Sequence, residues 1–593
     1  MKKNTLLIAL FFLTGITYGQ TAQWARATGG PDQLDFGSDI LADANGNTYT
    51  SGIFRQTTNF DSGNTNITEV AMQYGDIYVQ KLSPTGSFLW VKVFKNEMRM
   101  ESSYLTLDTS NNLYLTSQFT GSIDLNPGNE TDVHTVISPY PSAYVVKLST
   151  NGEYIWGKHF QFGSTINSGI ETTGIEIDNE NNILLTGEFQ NSIYFDFGNT
   201  VQVSTATGRN NFIMKMDTEG SFIWNKIFTS NLYGRYKIND IATDSQNNII
   251  LAGGTYGNVY LNPPSGNYIQ SDVNYPDLAI VKLRSNGDFI WAKTAQGTTV
   301  GNSNSAEQAN AIAIDVDNNI YFSGNFTNRI NLETSTTSFV LDSGINDSSQ
   351  STPFFGKMNS ESTMLWAKKL DGGTSTNSSG RTASIIDITT QGRVFVGMNY
   401  LGTFTYTVNG VTGSNTTYND PSRGQQMGMS LAEISPSNGN YLNMYHLKNI
   451  WHIWLHGLDI RNNSAYISGR FSATLDYGNS VSITTAAGGN TGQDDAFAAQ
   501  ISYSTLAITE NTQLPNTIVL SPNPVHNQLN VTANNQKISK ITVTDLTGKT
   551  LGTILPSSTE STNNIDVSQL ASGTYLLTIY TEKGINSKKF LKL

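Results

Sequence analysis

Lys81-Leu82-Ser83-Pro84-Thr85-Gly86-Ser87-Phe88-Leu89-Trp90 reads as a hairpin: an apolar strand ends at Lys-Leu, a turn with Pro and Gly follows, and a second strand reaches Trp. The figure recurs as Lys147-Leu148…Gly152…Trp156, Lys215-Met216…Gly220…Trp224 and Lys282-Leu283…Gly287…Trp291. Lys357-Met358…Ser362…Trp366 is a weaker copy, and Glu433-Ile434…Gly439…Asn443 is the most diverged. Counted from Trp24, the Trp-to-Trp spacings are 66, 66, 68, 67 and 75 residues. Such a period is the mark of a repeat architecture.

A second figure lies upstream of each hairpin: a short apolar strand, usually an Asp, a turn rich in Asn and Gly, then a second strand and an aromatic. Its copies run Ile40…Asp43…Tyr49…Phe54, Leu105…Asp108…Tyr114…Phe119, Ile175…Asp178…Phe189, Ile241…Asp244…Tyr256 and Ile312…Asp315…Tyr321…Phe326. Ile386…Phe395…Tyr400 and Leu458…Tyr466…Phe471 have lost the Asp, which brings the copies to seven. Each unit therefore supplies four strands, the signature of a propeller blade. The chain opens on an orphan fourth strand, Gln23-Trp24-Ala25-Arg26, and the repeats end on an orphan third strand, Asp495-Ala496-Phe497-Ala498-Ala499-Gln500-Ile501. Pairing these two completes the last unit and removes an exposed edge. The expected fold is all-β: a seven-bladed β-propeller over 20–501, then a linker over 502–515.

Composition agrees. Charged residues are 14%, Gly numbers 53, and the polar remainder is mostly Asn, Ser and Thr, which suits short strands and many turns rather than helix bundles. A formal charge of −12 leaves no basic footprint for nucleic acid. The absence of Cys removes disulfides, Cys–zinc sites and Cys nucleophiles. Lys2-Lys3, the apolar run from Leu6 to Leu13 and Thr17-Tyr18-Gly19 read as a signal peptide over 1–19. No later segment is apolar enough to span a membrane.

The segment 516–593 differs from the rest. Leu520-Ser521-Pro522-Asn523-Pro524, Leu529-Asn530-Val531 and Ile541-Thr542-Val543-Thr544-Asp545-Leu546-Thr547-Gly548 alternate strand with turn, as do Ser568-Gln569-Leu570, Gly573-Thr574-Tyr575 and a basic end. This pattern indicates a small Ig-like β-sandwich. In its Pro-Asn-Pro start, Asp-x-x-Gly turn, Ser-x-Leu-x-x-Gly-x-Tyr strand entry and basic end, it resembles the type A C-terminal sorting domain of the type IX secretion system of Bacteroidetes. The resemblance implies handling by that secretion machinery, removal of this domain, and a secreted or outer-membrane surface location after periplasmic export. The repeats over 22–501 are similar to β-propeller repeats of secreted Bacteroidetes proteins, a resemblance tied to no single activity.

Residues for chemistry are few. The repeated Trp residues fit packing between blades, and the repeated Asp residues fit turn capping. Oxygen-rich loops around Asp61, Asp124, Asp196 and Asp476 are the candidates for calcium, with an ordinary Gly-containing turn as the alternative. Tyr445-His446-Leu447-Lys448-Asn449-Ile450-Trp451-His452-Ile453-Trp454-Leu455-His456 breaks the repeat and holds three of the six His in the chain. Trp451, His452, Trp454 and His456 are the candidate ligand-binding residues, since imidazole with indole suits sugar or acid–base work. The alternative is an enlarged blade interface. No nucleophile elbow, phosphate loop or zinc motif appears, and no catalytic residue or required cofactor is assigned. The expected function is a monomeric, non-catalytic binding module for a glycan or extracellular protein. The alternatives are a polysaccharide lyase or glycosidase on a propeller scaffold, and a purely structural repeat.

Overall fold

In each repeat the third strand is the most continuously apolar, and Asp76–Leu82, Ser142–Leu148 and Asp277–Leu283 are buried along their whole length. A strand buried on both faces needs a neighbouring layer on each side, so these sheets must stack face to face. The computed structural model describes residues 20–503 and 518–593 apart from internal segments, the longest being 161–168, 195–201, 298–306 and 371–381. The expected signal peptide over 1–19 and residues 504–515 of the expected linker lie outside the described residues. The chain divides into two units, Met1–Tyr503 and Ser504–Leu593.

The first unit is propeller-like. Phe36–Ala42, Thr48–Phe54, Asp76–Leu82 and Phe88–Phe94 form an antiparallel meander, and six further sheets repeat this plan. The inner strands of the other sheets are Tyr104–Leu107, Ile170–Ile177, Arg235–Thr243, Glu307–Ile314, Thr382–Ile388 and Ile453–Arg461. Each inner strand packs against the next in chain order, and Ile453–Arg461 packs back against Phe36–Ala42. The last sheet takes Gln20–Thr28 as its outer strand, antiparallel to Asp495–Tyr503, with Ala25 opposite Ala499. Asp495–Tyr503 runs two residues past the expected end of the repeats. Ser502 and Tyr503, read from sequence as linker, pair with Thr21 and Gln20.

Two sheets differ from the four-stranded expectation. Phe222–Ser230 pairs with Asn258–Asn262 of the following repeat, and Tyr441–Asn449 pairs with Thr474–Gly478. The hairpin between the second and third strands of one repeat thereby occupies the outer edge of the sheet before it. Unpaired edge groups find partners there that the repeat itself does not supply.

The repeated Gly and Trp lock neighbouring sheets. Gly287 has φ +83°, a conformation that favours glycine, and a Cβ there would stand 3.1 Å from the Trp224 ring of the preceding sheet. Trp224 Nε1 donates to Ser285 O at 3.2 Å in that same turn. Trp24, Trp156, Trp291 and Trp366 make the matching bond to Pro84, Thr218, Ser360 and Pro436. The Trp of one repeat thus covers the turn of the next.

The repeated Asp closes its own turn. Asp244 Oδ1 accepts from the Gln246 and Asn248 backbones at 2.9 Å, and Lys282 of the third strand lies 2.9 Å from Asp244 Oδ2. Asp178 with Lys215 and Asp315 with Lys357 repeat the pair at 2.6 and 3.2 Å.

The second unit holds two antiparallel sheets, one of three strands and one of four. Leu529, Val531, Ile541, Leu577, Ile579 and Phe590 share its apolar core.

Candidate functional site on the repeat axis

The inner strand is the axial edge of its sheet, so its outward backbone N–H groups need acceptors. Carboxylates supply several. Asp39 accepts from Ile40 N at 2.8 Å and from Leu105 N of the next sheet at 2.9 Å. Asp240 accepts from Ile241 N and Ile312 N, both at 2.8 Å. Asp387 accepts from Ile388 N and Ile460 N, both at 2.7 Å. Asp459 accepts from Ala42 N at 2.7 Å, which carries the same link across to the first sheet.

Inner strands also carry a β-bulge. The register shifts between Gly37 and Asp39, Thr172 and Gly174, Ile238 and Asp240, Ala309 and Ala311, and Leu455 and Gly457. The extra residues are Ser38, Thr173, Asn239, Asn310 and His456, all polar, and all line an axial cavity of about 700 Å³. A bulge re-aims one side chain without ending the strand, which is how an edge strand feeds a polar group into a cavity.

Five carboxyls on this cavity titrate high. Burial pushes Asp39, Asp240 and Asp387 up to about 7 against their backbone hydrogen bonds. Burial pushes Glu176 up to about 8, with Asp240 adding to it and Arg461 opposing it. Asp459 is raised by burial, opposed by Arg461, whose Nε lies 3.2 Å from its Oδ1. Asp39, Asp240, Asp387 and Glu176 can hold or give up a proton near neutral pH.

The residues singled out by sequence fall differently. Trp451 and His452 lie outside the described residues. The segment around them is mostly strand: His446 ends up in Tyr441–Asn449 and His456 in Ile453–Arg461, in two different sheets. His446 Nδ1 lies 2.6 Å from Ser430 Oγ beside the Tyr406 ring, and burial holds it down to about 4. His456 Nδ1 lies 2.7 Å from Gly37 O, and burial keeps its ring below the usual histidine range. The Arg470 guanidinium sits 5.2 Å from the Trp454 ring centroid. His446 and His456 thus stand in different sheets; of the stretch's described residues, His456 alone lines the cavity.

The calcium candidates stand in separate hairpins. Asp124 Oδ1 accepts from Asn126 N and Asp132 N at 3.0 and 2.8 Å, closing its own loop. The Asn59 side chain accepts the Asp61 N–H at 3.0 Å, and Asp476 stands opposite Lys448 in the backbone register of two paired strands. Asp196 lies outside the described residues. Phe60, Leu125 and Tyr477 from these loops are buried. Among the described residues no three His, Asp or Glu side chains gather as metal ligands. The axial carboxyls were missed from sequence, although polar residues recur two positions before the apolar anchors Ile40, Ile175, Ile241, Ile312 and Leu458.

Residues 520–592 match the family described as the secretion system C-terminal sorting domain. The chain is also 25% identical, over 340 residues, to an uncharacterized WD repeat-containing protein of Acanthamoeba polyphaga mimivirus, a match over 48% of this chain and 24% of that protein. The matched region spans about a quarter of that relative's length. Among solved structures, a protein of unknown function from Dyadobacter fermentans aligns at 9% identity and TM-score 0.33, covering 69% of this chain and 98% of that one. A variant of NanB sialidase from Streptococcus pneumoniae aligns at 10% identity and TM-score 0.30, covering 76% and 65%. The chain carries a type IX sorting domain at its C-terminus and is exported to the cell surface or released. No helix among the described residues is long and apolar enough to cross a membrane.

Proposed function

We propose that the chain is an exported, non-catalytic binding module: a closed seven-bladed β-propeller over the repeats, with its ligand site in the axial cavity, delivered by an Ig-like sorting domain. The observation that carries this reading is the axial cavity itself. Its volume of about 700 Å³ falls in the range of small-ligand sites, and its polar groups come from several strands tied to one another through Asp39, Asp240, Asp387 and Asp459. Such a wall is preorganised, so little ordering cost falls on a ligand. A glycan or a segment of an extracellular protein fits this description, and Tyr104 and His456 are aromatic contacts on the wall.

A second reading is a carbohydrate-active enzyme, favoured by one observation: Glu176, pushed up to about 8 by burial, holds a proton at neutral pH as a general acid must. One experiment separates the two. The mature full-length protein is screened on a glycan array and incubated with the same polysaccharides. Retention without released reducing ends supports the binding module. Released ends that vanish in Glu176→Gln support the enzyme and sink the first reading.

A further inference from the structure

We propose that the axial cavity takes its ligand through a primary ammonium or guanidinium group, held by the Glu176 carboxylate. This rests on the binding-module reading and names the ligand chemistry of that site.

The wall carries six carboxyls, Asp39, Glu176, Asp178, Asp240, Asp387 and Asp459, and one guanidinium, that of Arg461. Asp178 on the same lining is matched by Lys215 at 2.6 Å. The aspartates are engaged. Three of them each accept two backbone N–H groups, and Asp459 accepts one and faces Arg461. Glu176 differs: half-buried on the cavity wall, its carboxylate accepts no hydrogen bond among the described residues. A carboxylate that faces a cavity with no protein donor on it is open to a charged donor that enters. Here the fold leaves one acceptor open in a wall whose other acids already serve the backbone.

A metal ion suits this wall poorly. Calcium needs six to eight converging oxygens at roughly 2.3–2.6 Å. These carboxyls are instead distributed around a ring, and no three gather as metal ligands among the described residues. An ammonium or guanidinium group needs only one carboxylate as anchor and can spread its other N–H donors to acceptors such as Asn239. Leu41 and Ala242 on the lining suit the methylene stem that carries such a group. The group can come from a free amine or from a Lys or Arg side chain of a partner protein.

The test is calorimetric titration of the mature full-length protein at low salt with spermidine, with a Gly-Lys-Gly peptide, with calcium chloride and with a neutral oligosaccharide. The expected result is one spermidine or peptide per chain, whichever of the two binds more tightly naming the source. Glu176→Gln should weaken binding at least tenfold, and Glu153→Gln, in an exposed turn, should leave it unchanged. Equal weakening by both variants, or no heat with either amine at millimolar concentration, overturns the proposal. So does calcium binding in place of amine. Should Glu176→Gln melt below the assay temperature, the unmodified protein decides: amine binding must release protons, seen as different heats in phosphate and Tris buffer, and equal heats overturn it. Neutral oligosaccharide binding without amine binding removes the cationic ligand and leaves the binding module standing. Oligosaccharide turnover with inert amines removes both.

Discussion

Gly287 and Trp224 show how one residue pair writes the repeat into the chain. The turn demands a positive φ, and the ring of the preceding sheet fills the space where a side chain would project. Gly287→Ala should therefore cost about 1–2 kcal/mol from the backbone alone, with the 3.1 Å contact to the ring adding to it. Trp366 is one of the buried members of the series and donates to Pro436 O at 3.0 Å. Trp366→Ala should cost about 3–5 kcal/mol, the range for emptying a large aromatic site. Denaturant titration of both variants beside the unmodified chain checks the order. A Trp366→Ala curve that overlays the unmodified one would show that the ring does not lock the sheets. Ser362 takes the Gly place in the weaker copy at 357–366 and still holds a positive φ of 66°. The turn geometry thus outlasts the residue that best suits it.

The inner strands and their flanking turns carry two opposing pH dependences. In the turns, burial alone would raise Asp178, Asp244 and Asp315, but their Lys and Asn partners hold them below the ordinary carboxylate value. Their contribution is present above the unfolded value of about 4 and is lost as pH falls through the folded values. On the axis the sign is reversed. Burial raises Asp39, Asp240 and Asp387 to about 7 and Glu176 to about 8, and it raises Asp35 to about 8 and Asp495 to about 7 where the ring closes. The fold binds these protons more tightly than the unfolded chain does. Their contribution is full below about pH 4 and fades as pH rises through the folded values. The melting temperature should pass through a maximum on the acid side of neutrality and fall toward pH 8.5. Asp240→Asn should flatten that alkaline fall. Scanning calorimetry from pH 4 to 9 checks it, and a melting temperature that climbs steadily from pH 5.5 to 8.5 would contradict the assignment of sign.

At the scale of the molecule, the first and last strands of the repeat unit meet. Gln20–Thr28 completes the sheet of Asp495–Tyr503, and Trp24 covers Gly86 of the next repeat. Deleting residues 21–28 should leave Asp495–Tyr503 with an open edge and the turn at Gly86 uncovered. Exposed edges recruit other chains, so lower thermal stability and self-association are expected in light scattering. A clean monomer with an unchanged melting temperature would show that closure contributes nothing. Export is a separate property, carried by the sorting domain matched over residues 520–592.

The sequence by itself determined the repeat, its four-strand unit, the pairing of its ends and the sorting domain. Each of these is local: a Gly before Trp, an Asp before Asn, and an Asp-x-x-Gly turn are readable wherever they fall. Only the tertiary structure decided what the axis carries. Asp39, Glu176, Asp240, Asp387 and Asp459 are far apart in the chain and sit at differing offsets from their anchors, so no period exposes them as a set. They meet because seven inner strands face one cavity, where burial rather than sequence spacing sets their charge. The same reason separates two histidines of the stretch at 445–456: His446 and His456 are ten positions apart in the chain, yet they lie in different sheets.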